Sequence, residues 1–109
     1  MPCNATGWEF KRGASFDLTL RVPSEFADGH FAGWTVESKV RTPSFGLVAA
    51  LTADWADPVT TRHVRLQFLD TRAWPVGEVH FDVVFVSPSG FRWPTNTSSF
   101  TVTKGPTDA

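Results

Sequence analysis

Between Val79 and Val86 the chain alternates with a period of two. Val79, Phe81, Val83 and Phe85 fall on one face, and His80, Asp82, Val84 and Val86 on the other. Successive side chains take opposite sides only in a β-strand, so this stretch is a strand with one face in a core. Its boundaries are set by chemistry. Asp70 is suited to cap a short helical turn at Thr71–Trp74, Pro75 forbids that helix from continuing, and Gly77 frees the backbone to enter the strand. Beyond it, Ser87-Pro88-Ser89-Gly90 has the Pro-second, Gly-fourth pattern of a type I turn. Phe91–Asn96 and Ser98–Thr103 then supply returning strands.

The remainder of the chain repeats this pattern. Trp8–Lys11 predicts a short first strand. Phe16, Leu18, Leu20 and Val22 point inward and Asp17, Thr19 and Arg21 outward, until Pro23 stops the run. Ser24–Gly33 reads as a loop. Trp34–Arg41 places Trp34, Val36, Ser38 and Val40 opposite Thr35, Glu37, Lys39 and Arg41, a set charged enough to be solvated. Thr42-Pro43-Ser44-Phe45-Gly46 is turn material, and Leu47–Thr52 and Thr61–Leu69 follow as strands, separated by the breaking residues Asp54 to Pro58. No segment sustains a helical period. The expectation is an all-β fold, an antiparallel immunoglobulin-like β-sandwich of about seven or eight short strands with one short helical turn. It would occupy residues 8–103, between an N-terminal arm (1–7) and a polar C-terminal tail (104–109). With one Cys and no Tyr, the chain has neither the inter-sheet disulfide nor the tyrosine corner of antibody domains. A jelly roll or partly open barrel satisfies the same pattern.

The chemistry is sparse. Ten basic and eleven acidic side chains leave a net charge of -1 over 109 residues, and the two signs are interspersed, which argues against nucleic acid as a partner. No run of apolar residues is long enough for a membrane span. Met1–Asn4 lacks the character of a signal peptide, so synthesis in a reducing cytoplasm is expected and Cys3 is not a lipid-anchor candidate. One Cys and three scattered His residues, His30, His63 and His80, do not make a zinc site. Asp54, Asp57 and Asp70 do not form a calcium loop, and no cofactor is expected. His80 and Asp82 share the outer face of one strand, and the plain reading is a surface neighbour pair without a nucleophile. The five Trp residues are the best material for binding. Trp34 and Trp74 sit in core pattern, whereas Trp8, Trp55 and Trp93 neighbour turns. There a ring is either exposed or caps an end of the sandwich, and the large apolar area of each ring favours burial. Phe45, Trp55 and Trp93 remain the candidate ligand or partner contacts.

Several pieces of the chain together resemble small phage and prophage immunoglobulin-like proteins similar to the N-terminal module of phage baseplate upper proteins. They are Lys11-Arg12-Gly13-Ala14-Ser15-Phe16, Val36-Glu37-Ser38-Lys39-Val40-Arg41, Asp70-Thr71-Arg72-Ala73-Trp74-Pro75-Val76-Gly77, Phe81-Asp82-Val83 and Ser99-Phe100-Thr101-Val102. The resemblance covers most of residues 8–103. The chain departs from it at Ala14, where relatives have Asp, and at His30-Phe31-Ala32-Gly33, where they have a Val-Asp-Leu-Thr-Gly loop. The resemblance implies a non-enzymatic virion or tail- or baseplate-associated structural or assembly module. Its partners would be other phage structural proteins, further copies of itself among them, and it would pass from the host cytoplasm into the virion. The alternative is a carbohydrate- or receptor-binding sandwich that uses Phe45, Trp55 or Trp93 at a common loop end.

Overall fold

The computed structural model describes residues 8–95 and 97–104. The expected arm 1–7, with Cys3, and most of the expected tail lie outside the described residues. Eight strands form in chain order: β1 (Trp8–Lys11), β2 (Phe16–Arg21), β3 (Thr35–Arg41), β4 (Leu47–Trp55), β5 (His63–Phe68), β6 (Gly77–Val86), β7 (Arg92–Pro94) and β8 (Ser98–Thr103). Hydrogen bonding links them in the order β1-β8-β6-β3-β4-β5-β2, with β7 also on β6. All pairs are antiparallel except β1 with β8.

β4 belongs to both sheets. Leu47–Leu51 pairs with β3 and Thr52–Trp55 with β5. This switch explains why β4 continues to Trp55, past the break that the sequence suggested at Asp54. Two short ladders, each with its own register, carry the strand through a polar stretch that neither sheet would hold alone. One side of the sandwich is thereby closed. The other side is open between β1 and β2, which share no ladder among the described residues.

The alternating residues behave as the periodicity predicts. Val79, Phe81, Val83 and Phe85 are buried, as are Phe16, Leu20, Val22, Val36 and Val40. Aromatic rings fill both ends of this core. At one end Phe16, Trp74 and Phe100 are buried, with Trp8 stacked on Phe100 at 4.3 Å between centroids and Phe10 edge-on to Phe16 at 5.3 Å. At the other, Phe31 is fully buried among Trp34, Trp55, Phe85 and Trp93. Buried hydroxyls tie the connections to the core. Thr71 Oγ1 accepts from the Gly13 N–H at 2.8 Å and donates to the Ala14 carbonyl at 2.6 Å, which locks the β1–β2 turn onto the β5–β6 connection.

The expected helical turn at Thr71–Trp74 is a single hydrogen-bonded turn instead, and no helix occurs among the described residues. Trp74 N–H donates to the Thr71 carbonyl at 3.0 Å. Pro75 has no N–H to extend the ladder, and Trp74 is drawn into the core. Asp70 does cap this turn. Its carboxylate accepts from the Arg72 backbone N–H at 3.1 Å and from the Arg72 guanidinium at 2.9 and 2.8 Å. The guanidinium hydrogen bond, followed by the backbone one, holds the Asp70 carboxyl down at about 2. A carboxyl depressed in the folded state contributes stability above its unfolded pKa of about 3.9, and that contribution is lost as pH falls through the folded value. In an NMR titration Asp70 is therefore expected to have a midpoint of about 2, moving back toward the ordinary carboxylate range in Arg72→Ala. A wild-type midpoint in the ordinary range would contradict the pairing.

Candidate docking site

The chain builds the same five-residue turn twice. In the β3–β4 connection, Thr42 N–H donates to Gly46 O at 2.8 Å and Phe45 N–H to Thr42 O at 2.9 Å. Gly46 N–H donates to Thr42 Oγ1 at 3.0 Å, and the Thr42 and Ser44 hydroxyls meet at 3.1 Å. In the β6–β7 connection, Ser87 N–H donates to Phe91 O at 2.8 Å and Gly90 N–H to Ser87 O at 2.9 Å. Phe91 N–H donates to Ser87 Oγ at 2.9 Å, and the Ser87 and Ser89 hydroxyls meet at 2.9 Å. Pro43 and Pro88 hold equivalent second positions, where their fixed φ suits a type I turn. The fourth position must be left-handed in both. Gly90 takes it with φ 92°, whereas in the β3–β4 turn Phe45 takes it with φ 71°. A bulky side chain in that region is strained, and the Phe45 ring is 78% exposed, so core packing does not compensate.

Phe45 lines a shallow groove of about 190 Å³ together with Lys39, Arg41, His80 and Asp82. An adjoining hollow of about 200 Å³ shares Lys39, Arg41 and Asp82 and continues to Glu37 and Arg92. Together they run along the outward faces of β3 and β6. The register sets Arg41 opposite His80 and Lys39 opposite Asp82. Arg41 Nη1 donates to the Phe45 carbonyl at 3.1 Å and braces the strained residue. Arg92 and Glu37 pair at 2.6 Å at the far end. The groove thus offers charges of both signs beside one apolar ring.

His80 shares the outward face of β6 with Asp82, as the alternation predicts, and both line the groove. His80 Nε2 meets Glu78 Oε2 at 3.2 Å, not Asp82. Strand pairing puts Ser99 of β8 directly opposite His80, a neighbour invisible in the sequence because it depends on the β6–β8 register. No hydrogen bond joins Ser99 to His80, so Glu78, His80 and Ser99 are adjacent without forming the relay that activates a serine. Among the described residues no three His, Cys, Asp or Glu side chains converge as metal ligands.

Of the candidate contacts, Trp55 and Trp93 come together and Phe45 stands apart. Trp55 is half-buried, its ring stacks on Phe85 at 5.4 Å, and its Nε1 donates to the Trp34 carbonyl at 2.9 Å. Trp93 is half-buried and packs edge-on against Phe26 at 5.5 Å. Both rings seal the end of the core that holds Phe31, whereas Phe45 lies at the opposite end of β3 and β4. The three therefore share no loop end. Leu47, Leu69 and Val76, which the sequence did not single out, are exposed in the strand end and connection at the Phe45 end. An exposed Leu reads the same as a buried one in a periodic run, so only the Leu69-Asp70 and Pro75-Val76 breaks could have marked them.

No protein-family model matches the chain, and no curated protein matches it. The structure is similar to CopC from Methylosinus trichosporium OB3b, with a TM-score of 0.58 at 14% identity, covering 92% of this chain and 86% of that one. It is also similar to a chicken TCR (TM-score 0.59, 15% identity, 94% of this chain and 55% of that one). The GspB Siglec domain is a third neighbour (TM-score 0.54, 13% identity, 94% and 56%). The chain spans little more than half the length of these last two. At such identities the likeness is one of fold, and the fold is an immunoglobulin-like β-sandwich.

Proposed function

We propose that the protein is a non-enzymatic docking module that engages another protein through Phe45 and the adjoining β3–β6 groove, and that its partner is a structural protein of a phage particle or of its assembly. The paired turns carry the docking reading. The chain uses Gly where the turn requires a left-handed residue in one hairpin and an exposed Phe in the other. Strain held by an exposed aromatic ring contributes nothing to the core, and rings of this kind anchor protein interfaces. The mixed charges of Lys39, Arg41 and Asp82 beside it suit a polar rim. The choice of partner rests on the resemblance to baseplate-associated modules. Trp55 and Trp93, committed to the core, leave the carbohydrate alternative with Phe45 alone.

Phe45→Gly separates binding from folding. Proteins captured from lysates of phage-producing cells by the wild-type protein, and lost with Phe45→Gly, are expected to be virion proteins when identified by mass spectrometry. A captured set unchanged by Phe45→Gly would remove Phe45 from the interface. A Phe45-dependent set without particle proteins would overturn the phage assignment.

A further inference from the structure

On the β3–β6 face most carboxylates are committed to neighbours within the chain, whereas the cations near Phe45 are not. Glu37 pairs with Arg92 at 2.6 Å, and Glu78 meets His80 Nε2 at 3.2 Å. Lys39 stands directly across the ladder from Asp82. The two form no ion pair, and the exposed Lys39 side chain has no partner among the described residues. Arg41 gives one guanidinium N–H to the Phe45 carbonyl and keeps the remaining donors of its planar fork. Among the described residues that line the groove, Asp82 is the uncommitted carboxylate, set against the two cations Lys39 and Arg41. A bulge sets the apolar end of this face. β3 pairs Val40 with Ala49 but Arg41 with Leu47, so Val48 is an extra residue on β4. Val48 packs against the core beside the buried Ala49. Without the extra residue Leu47 would fall on the core side. With it, Leu47 shares the outward face of Arg41 and is exposed, as Phe45 is.

We infer that the partner segment docked here is acidic and extended. It presents an apolar residue at one end to Phe45 and Leu47, and carboxylates at alternate positions to Arg41 and Lys39. This rests on the docking reading and names the chemistry of the partner. Lys39 and Arg41 are two residues apart on one face of β3, about 7 Å along the strand. An extended segment repeats its own side chains at the same interval, so two carboxylates meet the two cations without distortion. Beside apolar surface such charge-assisted hydrogen bonds are stronger than in open water. Asp82 opposes them, which favours a segment with more than one carboxylate.

A bead-displayed library of random dodecapeptides, selected on the full chain, tests this. Enriched peptides are expected to carry Asp or Glu at alternate positions beside an aromatic or aliphatic residue. In fluorescence anisotropy Lys39→Glu should weaken binding of such a peptide roughly tenfold or more, and Arg41→Glu likewise. Asp82→Asn should tighten it severalfold, a gain that misfolding cannot imitate. Raised salt should weaken the wild-type complex. Enrichment of basic or uncharged peptides would overturn the inference, as would acidic peptides indifferent to both charge reversals and to Asp82→Asn. A library without any binder lost in Lys39→Glu would do the same. Peptides of the wrong charge that are still lost with Phe45→Gly would leave docking at Phe45 standing and remove the acidic partner alone. Peptides indifferent to Phe45→Gly would remove the docking reading itself.

Discussion

Phe31→Ala is expected to lower unfolding free energy by about 3–5 kcal/mol, the range for a buried aromatic truncated in a core. Phe31 is fully buried. Its ring stacks on Phe85 at 4.7 Å, meets Trp34 edge-on at 5.2 Å, and lies 5.9 Å from Trp55 and from Trp93. These neighbours come from β4, β6, β7 and the residue leading into β3, so a cavity here loosens both sheets at one end. The backbone is held as firmly as the ring. Phe31 N–H donates to Thr61 Oγ1 at 3.2 Å, and Thr61 is buried in a left-handed conformation at φ 48°. Urea denaturation should show a lower midpoint with an unchanged slope, and thermal unfolding should fall by roughly 15 °C or more. A loss below about 1 kcal/mol would mean that Phe31 is not the plug of this end.

Arg62→Ala is the second large effect, about 3 kcal/mol, and its origin is polar. The guanidinium is mostly buried, with 14% of its side chain exposed. Nη1 donates to the carbonyls of Val22 at 3.0 Å and Pro23 at 2.9 Å, and Nη2 to that of Phe26. Nε donates to Asp28 at 3.0 Å. One side chain thus satisfies three backbone acceptors of the β2–β3 loop and fixes the segment that delivers Phe31 to the core. Lys has a single ammonium and cannot reproduce the planar fork, so Arg62→Lys should lose most of the same stability. Asp28 is 70% exposed, and Asp28→Ala should cost well under 1 kcal/mol. Equal losses for Arg62→Lys and Asp28→Ala in chemical denaturation would contradict the clamp.

The strands were legible because burial of one face imposes a period of two, and Phe16–Val22, Val36–Val40 and Val79–Phe85 carry that period plainly. Both Ser-Pro-Ser-Gly and Thr-Pro-Ser-Phe-Gly announced turns. What escaped depends on partners distant in sequence. Phe31 sits in a loop with no periodicity, and only the convergence of Trp34, Trp55, Phe85 and Trp93 makes it core. Arg62 looks like any charged residue before a strand until the carbonyls of Val22, Pro23 and Phe26 are seen around it. The sheet switch within β4 follows from two ladders, neither of which is written in Leu47–Trp55 itself. The candidate site was half legible. Phe45 drew attention as a turn aromatic, but its left-handed backbone follows from turn hydrogen bonds of the same pattern as those around Gly90 in the β6–β7 connection. Trp55 and Trp93 share a turn-adjacent placement, and their rings pack against the core, the fate that their apolar area favours.

The claim that Phe45 is kept for contact at a cost to folding is tested most directly by the stability of Phe45→Gly beside the wild type. Relief of the left-handed Phe should raise unfolding free energy by about 1 kcal/mol, seen as a higher melting temperature in the same buffer. The matching substitution in the other turn, Gly90→Phe, should lower it by a similar amount. A Phe45→Gly protein that melts at or below the wild-type temperature would show that the ring stabilises the fold, and the case for an exposed anchor would fail.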